Sequence, residues 1–261
     1  MRVNLIYILV LIALGSACRN PARSTGDQPS IMIVSLKGPS SMGIIRLIDS
    51  IYNDNNKAVK ITILDEPIQV RKMMLDGSAD FALLPSTMAA ILYNKGLDYK
   101  LAGIPVWGTL YLFGQDTTIK SWEDLRNKRV YVMARGMTPD VLFRFLLEEN
   151  GINPEKDIIL DYSFPTHIDL ANAVVAGQAV LGVLSEPQVS LVMTRNNNVH
   201  TIFDLNSEWN KVRGAPIAQT AFVVKGSTLS SVPELAGKII SACERSVKWV
   251  KIGRASCRER V

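Results

Sequence analysis

Short apolar runs recur along this chain, separated by amphipathic stretches. Ile31–Leu36, Ala58–Leu64 and Asp80–Leu84 are rich in Ile, Val and Leu and bounded by polar or glycine-containing turns, so they read as strands. Ser41–Tyr52, Ile68–Leu75 and Thr87–Asn94 place apolar side chains at three- and four-residue intervals and read as helices. Tyr99–Pro105 and Thr109–Phe113 are again strand-like. The pattern then restarts. Strands at Arg129–Met133, Ile158–Tyr162 and Val180–Leu184 alternate with helices at Pro139–Glu149, Ile168–Ala176 and Gln188–Arg195. A further strand, Thr220–Val224, precedes an amphipathic helix opening at Val232-Pro233. Such alternation predicts an α/β fold with parallel sheets.

The restart carries an internal echo. Asp76-Gly77-Ser78-Ala79-Asp80 ends one helix and leads to Leu83-Leu84-Pro85-Ser86-Thr87. Ala176-Gly177-Gln178-Ala179-Val180 ends another and leads to Val183-Leu184-Ser185-Glu186-Pro187. Gly77 and Gly177 both stand where a helix C-cap needs positive φ. Two related α/β lobes account for this order. The chain is expected to cross from the first to the second near Trp107-Gly108 and to return between Gly214 and Ala221. Lobe 1 then comprises 31–107 plus 220–251 and lobe 2 comprises 108–219, with two crossing strands acting as a hinge.

The two ends read differently from the interior. Met1-Arg2, the ten-residue apolar run Leu5–Leu14 and the small residues Gly15-Ser16-Ala17 describe a secretory signal peptide over 1–17. The apolar run is short for a membrane span, which needs about 20 residues. Small residues directly before Cys18 resemble a bacterial lipobox, although Gly15 stands where Leu is usual. Residues 18–30 are rich in Pro, Ser, Gly and Asp and suit a flexible tether from a lipidated Cys18. At the other end, residues 252–261 (IGRASCRERV) resemble a translated sequencing adapter and are set aside. The helix before them is then cut off in mid-course.

That exclusion changes the charge. Setting aside Arg2, Arg254, Arg258 and Arg260 from the 29 basic residues, and Glu259 from the 24 acidic ones, lowers the net charge from +5 to +2. The interior has no clustered basic face of the kind that nucleic acid requires. Cys243 becomes the one interior cysteine and reads as a small buried apolar residue. Neither a disulfide framework nor a cysteine metal site is possible.

Ligands of open α/β sheets bind beyond the carboxyl ends of strands. After the first strand, Gly38-Pro39-Ser40-Ser41-Met42 opens a helix whose free N–H groups suit an anionic or polar group, with Ser40 or Ser41 as its cap. Capping alone also explains the serines. After Arg129–Met133, Arg135-Gly136-Met137-Thr138-Pro139 repeats the arrangement, with Thr138 as N-cap and Pro139 as first helical residue. Arg135 could fix a carboxylate, sulfonate or phosphate, or lie on the surface. Pro85-Ser86-Thr87 and Glu186 follow the two echoed strands. A carboxylate there needs a donor, either a solute N–H or a structural partner such as a backbone N–H. Trp107 could stack on a ring. His167 reads as an exposed loop residue.

The runs Leu36-Lys37-Gly38-Pro39, Leu92-Tyr93-Asn94-Lys95-Gly96, Ser121-Trp122-Glu123-Asp124-Leu125-Arg126-Asn127-Lys128 and Ser185-Glu186-Pro187 resemble the nitrate/sulfonate/taurine and thiamine-precursor group of ABC solute-binding proteins. The resemblance extends from Ser30 to Lys251. It implies the type II periplasmic-binding-protein fold, with two α/β lobes joined by hinge strands, and a C-terminal truncation, since the group ends in helices returning to lobe 1. It implies cleft loops at Gly38–Met42, Pro85–Thr87, Trp107-Gly108, Arg135–Thr138 and Glu186-Pro187. The implied function is extracytoplasmic capture of a small polar or anionic solute: a sulfonate, a nitrate-like anion, or a pyrimidine or thiamine precursor. Permease and ATPase subunits are the implied partners. The expected state is a monomer held to the membrane only through the lipid, with no cofactor, metal or nucleic acid. His167 and His200 are the only histidines, and no HExxH, GxSxG, phosphate-binding or dinucleotide-binding glycine motif is present. Enzymes on the same fold, such as pyrimidine-precursor synthases and a chorismate-dehydrating enzyme, remain the alternative.

Overall fold

The computed structural model describes residues 30–53 and 58–258, with side chains described as far as Val250. The signal peptide, Cys18 and nearly all of the tether lie outside the described residues. Lobe 1 holds a five-stranded sheet in the order β2-β1-β3-β10-β4, formed by β1 (Ile31–Leu36), β2 (Val59–Leu64), β3 (Phe81–Pro85), β4 (Tyr99–Trp107) and β10 (Ala218–Lys225). Lobe 2 holds a second, in the order β7-β6-β8-β5-β9, formed by β5 (Leu110–Gly114), β6 (Arg129–Val132), β7 (Ile159–Asp161), β8 (Leu181–Ser185) and β9 (His200–Asp204).

The two sheets share one plan. In each, the first three strands are parallel, and the fourth, β10 or β5, runs antiparallel to its neighbours on both sides. The fourth strand is the one that enters from the other lobe along the chain. The echo in sequence is therefore an echo in topology. Gly77 and Gly177, its two turns, have φ of 74° and 73°.

Parallel strands require crossover helices, and these cover both faces of each sheet. In lobe 1 they are α1 (Pro39–Gly43), α2 (Ile45–Asn53), α3 (Pro67–Leu75) and α4 (Ser86–Asn94). In lobe 2 they are α5 (Thr138–Glu149), α6 (His167–Val175), α7 (Gln188–Arg195) and α8 (Leu205–Arg213). Two more, α9 (Gly226–Ser231) and α10 (Pro233–Arg258), follow β10. Each strand sends alternate side chains to opposite faces. Ile31 and Ile33 of β1 join Phe81, Phe222 and Ile239, while Val34 and Leu36 join Leu84, Met88 and Val223. Cys243 is buried in the first of these clusters, and burial pushes its thiol up to about 12. The backbone of α10 continues into the stretch 252–258 that the sequence led us to set aside.

Four expectations change. The single helix expected at Ser41–Tyr52 is two helices that break at Ile44, because Gly43 is pressed close to Val106 and Pro105 and Ile44 is fully buried. Neither Ser40 nor Ser41 is the cap of α1; Gly38 is, at φ 92°, with Pro39 in the first turn. Thr138 is the first residue of α5 rather than its cap, which is Met137. Strand β9 and helix α8 were not read from the sequence at all.

Candidate functional site

The carboxyl ends of the parallel strands in the two lobes face each other across a narrow cleft. Lobe 1 contributes Leu36, Lys37, Pro39 and Ser40 after β1, Asp65, Glu66 and Pro67 after β2, Pro85 after β3, and Gln219 and Thr220 from β10. Lobe 2 contributes Met133, Ala134 and Met137–Pro139 after β6, and Pro165–His167 after β7. Much of this wall is proline and methionine. Apolar walls with a few placed polar groups are the usual composition of a small-molecule pocket.

The polar groups are anchored from behind. Ser40 Oγ and Thr220 Oγ1 are 3.1 Å apart, which ties the β1 loop to the incoming strand β10. Lys37 Nζ lies 2.5 Å from Asp65 Oδ1, an exposed pair between adjacent loops. In lobe 2, buried Asp140 organises the wall. Its carboxylate accepts from Gly136 N at 2.7 Å, Arg144 Nε at 2.9 Å and Tyr162 Oη at 2.7 Å. Arg144 also pairs with Glu155. The Gly136 loop, whose glycine sits at φ 77°, is thereby fixed to α5 and to the end of β7.

The lobes touch at the cleft. Thr138 Oγ1 lies 3.3 Å from Thr87 Oγ1 and 3.5 Å from Ser86 Oγ, and Ser86 Oγ donates to Ala218 O at 2.5 Å. The crossing segments are also joined. Gly108 N donates to Ile217 O at 2.9 Å, and the Thr109 N–H and hydroxyl both donate to Gln219 Oε1, at 2.9 and 2.7 Å.

Of the residues singled out from sequence, Pro39, Ser40, Pro85 and Thr138 line this cleft. Gly38, Ser41 and Met42 belong to the same loop and helix but are not in the wall, and Ser41 Oγ donates to the Gly38 carbonyl. Ser86 and Thr87 form the contact between lobes. Gly108 belongs to the crossing, and Trp107 beside it is 46% exposed and not in the cleft wall. Gly136 is held by Asp140, as described. Arg135 is exposed, with its guanidinium carbon 5.1 Å from the centre of the Tyr162 ring, outside the wall. Glu186 accepts from Ser190 N and Oγ at 3.2 and 2.8 Å, which is the structural partner weighed above. Asp65, Glu66, Pro165, Thr166 and His167 were missed. They follow β2 and β7, and the rule that directed attention to loops after strands applies to them equally.

His167 departs from the expectation of an exposed loop residue. It is the first residue of α6, half-buried in the cleft wall, with Thr166 as its N-cap. Burial lowers its pKa from 6.5 to about 4. The unfolded chain takes up a proton below 6.5 that the folded chain resists until about 4. Stability contributed this way is complete above 6.5 and is lost as pH falls through that window. Urea titrations at pH 7 and pH 4.5 are expected to show a fall that His167→Gln reduces; an equal fall in both proteins contradicts it.

Among the described residues no group of three or more His, Cys, Asp or Glu is placed to hold a metal ion, and no helix is long and apolar enough to cross a membrane.

A family model described as "ABC transporter, phosphonate, periplasmic substrate-binding protein" matches residues 46–242. YtlA of Bacillus subtilis (strain 168), named as a binding protein, is 26% identical over 182 residues, covering 68% of this chain and 52% of that protein. The chain thus spans about half the length of that curated relative. The crystal structure of an ABC transporter from Parabacteroides distasonis is similar at 29% identity and TM-score 0.66, over 88% of this chain and 78% of that one. The periplasmic aliphatic sulphonate binding protein SsuA from Escherichia coli has the same fold at 14% identity and TM-score 0.70, over 88% and 72%.

Proposed function

The chain belongs to the family of periplasmic substrate-binding proteins of phosphonate ABC transporters, and from that premise we propose that it captures a small polar organic solute between its lobes and delivers it to permease and ATPase subunits. The observation that carries this is the cleft at the facing carboxyl ends of the two sheets, walled by both lobes and bridged by Thr138 with Ser86 and Thr87. A solute touching both walls stabilises the closed arrangement by its differential affinity for it. The same proposal assigns 31–107 with 220–251 to one lobe and 108–219 to the other, except that β10, which starts at Ala218, belongs to the sheet of the first. Sulfonates, nitrate-like anions and pyrimidine or thiamine precursors are the solutes to consider first.

In the same proposal residues 1–17 direct export, Cys18 carries lipid and 18–30 are the tether on the outer side of the membrane. Mass spectrometry of the mature protein tests this. The expected N-terminus is a lipidated Cys18, and an unmodified chain starting at Met1 contradicts it. Binding without turnover separates capture from catalysis. A solute at one hundred times its Kd is expected to stabilise the chain by about 2.7 kcal/mol, read as a rise in unfolding temperature, while the solute is recovered unchanged. Failure of sulfonates, carboxylates, pyrimidines and amines alike to raise it, with no solute co-purifying, counts against capture.

A further inference from the structure

We propose that Arg135 is the clamp of this cleft: on capture its guanidinium swings from the Tyr162 ring to the cleft mouth and holds the oxyanion of the solute. The inference rests on the solute-capture reading above and adds the lobe 2 residue that meets the charge. A phosphonate or sulfonate leaving water for an apolar wall needs a cation beside it. Among the described residues of the wall no cation is free. Lys37, its one lysine, is paired with Asp65. His167 is uncharged at neutral pH, since burial lowers its pKa to about 4. Glu66 brings a further negative charge as the cap of α3. Arg135 stands next to this wall, in the loop between the wall residues Ala134 and Met137. It is exposed and makes no ion pair among the described residues. Asp140, one turn further on, is engaged by Gly136, Arg144 and Tyr162. By contrast, Arg129 is held by Asp161, and Arg144 by Asp140 and Glu155.

The backbone presents Arg135 rigidly. Met137 N donates to Ala134 O at 2.9 Å and closes a turn with Arg135 and Gly136 at its corners. Ala134 has φ 53° and Gly136 has φ 77°. An alanine in the left-handed region persists only where its surroundings hold it there. Here the bond from Gly136 N to Asp140 does so. The loop is thus already set, and rotation about the side-chain bonds of Arg135 is the one movement required. Its resting contact is weak. The guanidinium carbon lies 5.1 Å from the centre of a tyrosine ring whose hydroxyl is fixed by Asp140. A bidentate, charge-assisted contact with an oxyanion is stronger than an exposed cation over a ring. On the opposite lobe α4 opens with neither a side-chain cap nor a carboxylate in its first turn, so nothing there repels the same oxyanion. A clamp from lobe 2 on an anion seated against lobe 1 favours the closed arrangement.

The test uses the full chain with methylphosphonate, phenylphosphonate and methanesulfonate as probes. Calorimetry is expected to show that Arg135→Gln weakens the best-bound probe about tenfold or more, as loss of a charge-assisted hydrogen bond does. Arg135→Lys should recover only part of that loss, since an ammonium lacks the planar fork. The unfolding temperature without probe is expected to stay where it was, because Arg135 is exposed and unpaired. Stopped-flow kinetics separate a clamp from attraction at a distance. Loss of a clamp speeds dissociation, whereas loss of steering slows association in a way that added salt abolishes. Unchanged affinity in Arg135→Gln, or a loss confined to association, overturns the inference and leaves solute capture standing. Failure of all three probes to bind the unaltered chain overturns it too, and native mass spectrometry for a co-purified solute then decides whether capture itself stands.

Discussion

Replacing Asp140 by alanine is expected to cost the protein about 3 kcal/mol of folding stability. The carboxylate is 3% exposed and accepts three hydrogen bonds, from the Gly136 backbone, the Arg144 guanidinium and the Tyr162 hydroxyl. Removing one partner of a buried ion pair strands the other, a loss of about 3–5 kcal/mol when both are enclosed. The Arg144 side chain is 22% exposed and keeps Glu155, so the lower end applies. For a protein of this size each kcal/mol moves the unfolding temperature by about 2–4 °C, so a drop of about 6–12 °C is expected. Tyr162→Phe removes one hydrogen bond to the same oxygen and should cost about 1 kcal/mol. Solute affinity is expected to fall with Asp140→Ala, because the Gly136 loop loses its tie to α5. Chemical denaturation of the two variants decides the matter. A loss under about 1 kcal/mol for Asp140→Ala means that water screens the cluster.

Asp140 also marks where sequence reading stops. That it opens a helix after a strand was legible; that its partners are 4 and 22 residues away was not, because a hydrogen-bonding cluster leaves no periodic trace. The strands were legible because they are short, apolar and set off by glycine turns. Strand β9 escaped because His200 and Thr201 dilute its apolar residues, and α8 because Asn206, Ser207 and Asn210 mask the stripe of Leu205 and Trp209. Its Asp204 cap, which accepts from Asn206 N and Ser207 N, was the available signal. The start of α1 was misplaced because it is set by the backbone of Gly38 rather than by a serine hydroxyl. Of the cleft, the loops after β1, β3 and β6 were found, and the Asp65–Pro67 and Pro165–His167 loops were not. They carry fewer glycines and hydroxyls, yet they bring two carboxylates and an imidazole.

Gly108→Ala is expected to loosen the joint between the lobes and to cost about 2–3 kcal/mol. Two physical effects coincide there. The residue has φ 28°, in the region L side chains rarely adopt, which costs about 1 kcal/mol or more. A methyl group would also overlap the side chain of Asn206, whose Oδ1 accepts the Ile217 N–H at 3.1 Å. Displacing Asn206 leaves that N–H without its partner, a further loss of about 1 kcal/mol. Ile217 lies on the returning segment and accepts from Gly108 N, so the disturbance weakens the tie between the two crossings. The variant should therefore show a larger radius of gyration in solution scattering without solute, since the lobes separate more readily. A double-mutant cycle separates strain from collision. Asn206→Ala alone loses the hydrogen bond, but in the Gly108→Ala background it also makes room for the methyl. The two together should thus cost about 1 kcal/mol less than the sum of the single variants. Strict additivity would leave backbone strain as the whole effect and remove Asn206 from the account of the hinge.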